Sequence, residues 1–315
     1  MQTMTTTETP PKRESKRERR ERLTNRWVAI AVAATAAVTI AGVGYDYYRM
    51  DSVQPTADTR IPSPEYLGPT TELTEPKPLA TILPKLKDPN RPFNVVVFGD
   101  STGVSSKGWQ VLVPTWLGQT FDRKTSLLPW NKDEHRYDPI WNLRSGTRAP
   151  ITVYNASAPG KNVAYATEHI DQMVPLTPNE VDLVFVNFSH TEPIYQAPAH
   201  VGDLMNHLAE TYPDAAISSI QQNPDWIGSN LQYVQEQNTR QINDWATYRG
   251  FPTMPVRQAF FDCTDDINTL LDEPTKIHPN PEGYLVWSKV VAEELIKAGV
   301  PTNVPVPQPT TCKSS

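Results

Sequence analysis

Short runs of β-branched and aromatic residues alternate with helical patterns along the middle of this chain, and this alternation is its strongest constraint on the fold. The runs occupy residues 93–100, 151–157, 181–189 and 215–223, with a weaker fifth at 252–256. Apolar residues recur at helical spacing between them and after the last one. Strands that alternate with helices predict an α/β fold with a parallel sheet of about five strands, covered on both faces. The ligand site of such a sheet lies outside the carboxyl ends of its strands.

Proline content separates this middle part from its flanks. The sequence of 315 residues contains 31 prolines, and they are densest in two segments on either side of it. Because proline-rich segments are extended and build no core, we expect a folded domain at residues 93–299, between a stalk at 49–92 and a tail at 300–315. The polar and aromatic residues 122–150 are expected to form an insertion near the carboxyl edge of the sheet.

An uncharged stretch near the N-terminus predicts a membrane anchor. Residues 27–44 carry no charged side chain and are just long enough to cross the hydrocarbon core of a bilayer. The basic residues of segment 1–26 precede them, and three tyrosines follow within residues 45–48, which fits a positive-inside flank and an aromatic belt. We therefore expect one transmembrane helix at residues 27–48, with the N-terminus in the cytoplasm and the body outside the cell membrane. A cleaved signal peptide with a secreted body, or a buried alanine-rich helix, are the open alternatives.

Charge and cysteine content narrow the expected partners. Residues 1–50 carry 9 Lys/Arg against 5 Asp/Glu, and the remainder carries 20 against 30. An acidic body without a basic stripe repels phosphate backbones, so no nucleic acid is expected as a partner. No His, Asp or Glu cluster has ligand spacing, so we expect no metal and no cofactor. Cys263 and Cys312 can pair in an exported body, and two free thiols are the alternative.

The end of the first predicted strand indicates a nucleophile. Ser101 follows Gly99 and Asp100 there and precedes a helix, so its hydroxyl is expected at the carboxyl edge, near backbone N–H groups that stabilise an oxyanion. A serine hydroxyl needs a base to take its proton. Of the six histidines, His278 has the best context, because its loop opens the last predicted helix and reaches the same edge.

Several segments resemble one known family. The segments VVVFGDS, NASAPGKN, DLVFVNFSHTE, SIQQNPDW and IHPNPEGY follow the order of the blocks of SGNH (GDSL-type) hydrolases across almost the whole body. The resemblance implies a flavodoxin-like three-layer sandwich with Ser101 and His278 as the catalytic pair. It also implies that the backbone N–H groups of Ser101 and Gly160 are oxyanion donors.

Two positions depart from the family pattern. Thr191 stands where the family has an oxyanion asparagine, and its hydroxyl can donate but reaches less far. Loss of one such donor costs about 100- to 1000-fold in turnover. Thr275 occupies the position of the family's acid, three residues before His278, and the nearby Asp272 is the candidate to orient the imidazole.

The predicted function is that of a serine ester hydrolase. It would act outside the membrane, through an acyl-enzyme, on acyl or O-acetyl esters of small molecules, glycans or lipids. His190 and Asn223 are candidate substrate contacts, and Trp130, Trp141 and His135 are candidates to line an acyl or sugar cleft. Two alternatives stay open: an O-acyltransferase on envelope glycans, and a catalytically degenerate SGNH module that binds without turnover.

Overall fold

An eight-stranded sheet forms the centre of the protein in a computed structural model that describes residues 73–273 and 275–313. Its strands are β1 (Phe93–Gly99), β2 (Arg123–Asn131), β3 (Arg136–Tyr137), β4 (Trp141–Arg144), β5 (Arg148–Ser157), β6 (Leu183–Asn187), β7 (Ala216–Ile220) and β8 (Thr253–Met254). Parallel pairing runs in the order β2-β5-β1-β6-β7-β8. Strands β3 and β4 both pair antiparallel with β2.

Five of these strands match the predicted ones. Strands β5, β1, β6, β7 and β8 follow the flavodoxin-like order 2-1-3-4-5. Strand β2 was not predicted, because residues 122–150 were expected to be an insertion only. Instead β2 extends the parallel sheet beside β5. Within residues 122–150, strands β3 and β4 are the strands that lie outside the parallel sheet. The sequence of β2 contains Pro129 and lacks a run of β-branched residues. Pairing with β5, rather than local propensity, therefore makes β2 a strand.

Helices cover both faces of the sheet. They are α1 (Ile82–Lys87), α2 (Trp109–Phe121), α3 (Val163–Glu168), α4 (Ile170–Met173), α5 (Ala197–Thr211), α6 (Gln232–Arg249), α7 (Val256–Cys263) and α8 (Pro281–Lys297). Helices α1, α2, α7 and α8 pack on one face, and α3 to α6 pack on the other. Within β1, Val95 and Val97 face the first layer, whereas Val96 and Phe98 face the second. The uniform apolar run of β1 is thus explained by burial on both faces.

The folded unit begins earlier than the expected boundary at Phe93. Leu79, Ile82 and Leu86 are buried in the core, so α1 belongs to the body and not to a stalk. The buried Arg123 guanidinium holds α1 in place, because it donates to the Leu86 carbonyl at 2.9 Å. Because the sequence around α1 is rich in proline, its short amphipathic pattern was not recognised as part of the folded domain.

The C-terminal tail is tied to the body. Cys263 and Cys312 form a disulfide, so pairing rather than two free thiols is observed. The Glu282 carboxylate accepts hydrogen bonds from the backbone N–H groups of Thr310, at 2.7 Å, and Thr311, at 3.3 Å. These bonds lower the pKa of Glu282 below its ordinary value, and the bond from the Thr310 N–H has the largest effect. The tail therefore belongs to the folded unit as well.

Two features are absent from the part of the chain that the structure describes. None of its helices combines the length and the apolar character that crossing a bilayer requires. It also contains no group of three His, Cys, Asp or Glu side chains arranged to hold a metal ion. The predicted anchor at residues 27–48 lies outside the described residues, as do residues 49–72 of the predicted stalk.

Candidate active site

The carboxyl edge of the sheet brings Ser101 and His278 together. Ser101 lies just after β1, and His278 lies in the loop that precedes α8. Ser101 Oγ is 2.7 Å from His278 Nε2, a hydrogen-bond distance suited to a nucleophile and its base. Both side chains are partly exposed, so a substrate can reach them.

A single helical turn sets the position of Ser101. A helix was expected directly after this serine, but Ser101–Gly103 forms only one 3-10 turn, and α2 begins further along the chain. The buried Asp100 carboxylate caps this turn by accepting from the Thr102 N–H and the Thr102 hydroxyl, both at 2.9 Å. The cap fixes the backbone conformation of the turn from which the Ser101 side chain projects.

Thr275 and Asp272 lie behind His278. Thr275 Oγ1 is 3.0 Å from His278 Nδ1, and the same hydroxyl is hydrogen-bonded to Asp272 Oδ1. The predicted orienter Asp272 therefore reaches the imidazole through Thr275 and not by direct contact.

The turn that carries Gly160 lies beside Ser101. Gly99 and Ser157 are paired at the ends of neighbouring strands, and the Ala158 N–H donates to the Gly99 carbonyl at 2.8 Å. Gly160 has a φ of 73°, a left-handed conformation that glycine adopts without a steric penalty. Among the described residues, no protein acceptor takes the N–H of Ser101 or of Gly160. Two unpaired N–H groups are what an oxyanion site requires, and their role in one stays a prediction.

Thr191 is hydrogen-bonded to this turn. Its hydroxyl donates to the Lys161 carbonyl at 2.9 Å. Because a hydroxyl has one proton, Thr191 has none left for an oxyanion in this geometry. The neighbouring Glu192 accepts from the Val163 N–H at 2.7 Å, and burial raises the pKa of Glu192 above its ordinary value. The segment after β6 thus supports the turn that bears Gly160.

Asn223 and His190 form internal contacts. Asn223 is fully buried, and its amide donates to the Ile277 carbonyl at 2.8 Å, next to His278. Contrary to expectation, Asn223 therefore supports the histidine loop and offers no surface to a substrate. His190 Nε2 lies 3.1 Å from the Asn223 carbonyl, which can only accept, so Nε2 carries the proton. Burial lowers the pKa of His190, and the Asp100 carboxylate opposes this shift.

A buried polar network beneath Ser101 was not predicted. Gln222 accepts from the Ser189 hydroxyl at 2.7 Å and donates to Thr102 Oγ1 at 3.0 Å. Asn187 donates to the same Thr102 oxygen at 3.1 Å. Asn187 ends β6 and Gln222 follows β7. The sequence could have indicated both residues, because each is a polar residue that follows an apolar run and lies at the edge of the sheet where ligands bind.

A pocket of about 640 Å³ opens at the carboxyl edge, beside the part of the sheet formed by β2, β3 and β4. Ser157 and Pro159, which precede Gly160, line it, and Ser101 and His278 do not. Trp130 and Trp141 line it together with Val104, and their role in an acyl or sugar cleft stays a prediction. His135 is not among its lining residues.

Comparison with known proteins identifies the fold. No family model matches the chain, and no curated protein matches it. Among solved structures, a two-domain esterase (CEX) active on acetylated mannans is similar with a TM-score of 0.53 at 14% identity, covering 77% of this chain and 59% of that one. A protein assigned to the G-D-S-L lipolytic family, from Desulfitobacterium hafniense DCB-2, is similar with a TM-score of 0.44 at 14% identity, covering 64% and 98%. This chain has the SGNH hydrolase fold.

A third solved structure is also similar to this chain. It is a lipase/acylhydrolase from Enterococcus faecalis, with a TM-score of 0.49 at 12% identity, covering 64% of this chain and 95% of that one. Identities this low show the SGNH fold alone. The chemistry of this SGNH domain has to be argued from its own residues.

Proposed function

We propose that this chain is a serine ester hydrolase in which Ser101 is the nucleophile and His278 its general base. The observation that carries the proposal is the 2.7 Å distance between Ser101 Oγ and His278 Nε2. His278 takes the hydroxyl proton as Ser101 attacks the ester carbonyl, and the N–H groups of Ser101 and Gly160 stabilise the oxyanion. The alcohol leaves with the proton from His278, and an acyl-enzyme remains. Water, deprotonated by the same imidazole, then releases the acid and restores Ser101.

The pocket at the carboxyl edge of the sheet supports a sugar ester as the substrate. Trp141 is 37% exposed, and its indole can offer an aromatic face on which a sugar ring stacks. The Asp138 side chain lines the same pocket, and its carboxylate can accept hydrogen bonds from sugar hydroxyls. The two-domain esterase of the same fold is active on acetylated mannans. We therefore extend the proposal to O-acetyl esters of glycans.

We also propose that the reaction takes place outside the membrane. The uncharged residues 27–44 and the basic segment before them support a single-pass anchor with a cytoplasmic N-terminus. The disulfide between Cys263 and Cys312 supports an oxidising compartment for the body.

Labelling by a fluorophosphonate tests the hydrolase proposal, because such probes react only with an activated serine. We expect the full-length wild type to be labelled, and Ser101→Ala and His278→Ala to lose the label. Ser106→Ala, which changes an exposed serine nearby, is the matched control and keeps it. A folded wild type that is not labelled would contradict the proposal and favour the degenerate binding module.

A further inference from the structure

We propose that Thr275 is a positioning residue that relays the negative charge of Asp272 to the imidazole of His278. The inference rests on the proposed function and adds two residues to its machinery. Thr275 Oγ1 lies between the two groups, 3.0 Å from His278 Nδ1 and in hydrogen-bond contact with Asp272 Oδ1. The site is thus a chain of four groups, Ser101, His278, Thr275 and Asp272, in place of a direct Ser-His-Asp contact.

The direction of each hydrogen bond follows from what its groups can donate. A carboxylate only accepts, so the single hydroxyl proton of Thr275 points to Asp272. The Thr275 oxygen can then only accept from His278, which must carry its proton on Nδ1. His278 Nε2 is therefore unprotonated and faces the Ser101 hydroxyl at 2.7 Å. Asp272 selects, through Thr275, the one neutral tautomer that can take the serine proton.

The backbone of the loop keeps these groups in register. The Asp272 N–H donates to the His278 carbonyl, and the Lys276 N–H donates to the Asp272 carbonyl, both at 2.8 Å. The N–H groups of Ile277 and His278 approach Thr275 Oγ1 at 3.4 Å, on its accepting side. The arrangement also stabilises the imidazolium that forms during attack, because the Thr275 dipole is aligned by the Asp272 charge.

Substitutions that separate the hydroxyl from the charge test the relay in the full chain, with p-nitrophenyl acetate as substrate. Thr275→Val keeps the shape but removes the hydroxyl, and we expect kcat to fall by about 10- to 100-fold with little change in KM. Thr275→Ser keeps the hydroxyl and is the matched control, expected within about threefold of wild type. Asp272→Asn should lower kcat similarly. The double variant should be no worse than the poorer single variant, because both changes break one chain.

The pH profile gives a readout that a merely structural role would not move. Asp272→Asn removes a charge that stabilises the imidazolium, so the acidic limb of kcat/KM should shift to lower pH. Other titratable groups that interact with this part of the site, namely His190, Asp100, Asp225 and Tyr284, are unchanged in the variant. Nitrogen chemical shifts of the His278 ring should report the Nδ1–H tautomer in wild type and a tautomer mixture in Asp272→Asn.

Each contrary result has a distinct meaning. If Thr275→Val and Asp272→Asn keep the wild-type kcat, pH profile and tautomer, the relay is wrong, and the hydrolase proposal stands. If the folded wild type is neither labelled nor active, the hydrolase proposal fails, and the tautomer measurement still decides the hydrogen-bond chain. Thr275→Asp combined with Asp272→Asn places one carboxylate beside Nδ1, and we expect it to recover most of the activity lost in Asp272→Asn. A folded double variant without recovery would also overturn the relay.

Discussion

At the scale of residues, two threonines stand where the SGNH pattern has Asn and Asp, and both hydroxyls are already hydrogen-bonded. Thr191 donates to the Lys161 carbonyl, and Thr275 contacts Asp272. Neither hydroxyl carries the charge or the reach of the side chain that it replaces. We infer that the oxyanion is stabilised mainly by the backbone N–H of Gly160 and of the nucleophile itself.

Replacing Thr191 by Val distinguishes support of the turn from direct donation. A lost hydrogen bond to Lys161 is worth about 1 kcal/mol, so we expect kcat to fall by about tenfold or less through loosening of the Gly160 turn. Thr191→Ser retains the donor and should behave as wild type. A loss of about 100-fold or more in Thr191→Val alone would assign the hydroxyl to the oxyanion itself, as measured by kcat on p-nitrophenyl acetate.

At the scale of elements, strands β3 and β4 flank the pocket at the carboxyl edge of the sheet, which we propose as the substrate site. Both pair with β2, and the β3 residue Tyr137 packs edge-on against Trp130 with ring centroids 5.2 Å apart. Ile140 and Trp141, which line the pocket, are 49% and 37% exposed. Exposed apolar side chains grouped around a pocket mark a site for a ligand.

Trp141→Ala tests whether this element selects the substrate. We expect KM for O-acetylated oligosaccharides to rise by about tenfold, because a stacking surface is lost, while fluorophosphonate labelling of Ser101 stays unchanged. Tyr248→Ala removes another exposed aromatic side chain, on α6, and should leave KM as it is. An unchanged KM in Trp141→Ala, from acetate-release assays, would remove the glycan from the proposal.

At the scale of the whole molecule, the acidic charge of the body disfavours its docking on an anionic membrane surface. The chain after residue 50 carries 20 Lys/Arg against 30 Asp/Glu, and anionic lipid headgroups repel such an excess of acidic residues. Attachment would then depend on residues 27–48 alone. The disulfide that ties the tail to α7 is compatible with a body exposed outside the cell.

Localisation of a C-terminally tagged full chain tests this arrangement. We expect the tag to stay in the membrane fraction after an alkaline wash and to be removed from intact cells by external protease. A chain that begins at residue 49 is the matched control and should not be retained in membranes. A soluble product that lacks the first 48 residues would instead establish a cleaved signal peptide, and a tag protected from protease would contradict an external body.

Local sequence determined the strands that are apolar on both faces, the helices between them, and the delivery of Ser101 and His278 to one edge of the sheet. These features depend on short-range periodicity and on the geometry of parallel strands, which neighbouring residues encode. Strand β2, by contrast, exists because β5 offers a partner, and α1 belongs to the body because a distant guanidinium holds its carbonyls. The contact of Thr275 with His278, the occupied hydroxyl of Thr191 and the burial of Asn223 were likewise decided by tertiary structure. Each depends on distances of about 3 Å set by the packing of the whole fold, and no local pattern encodes such distances.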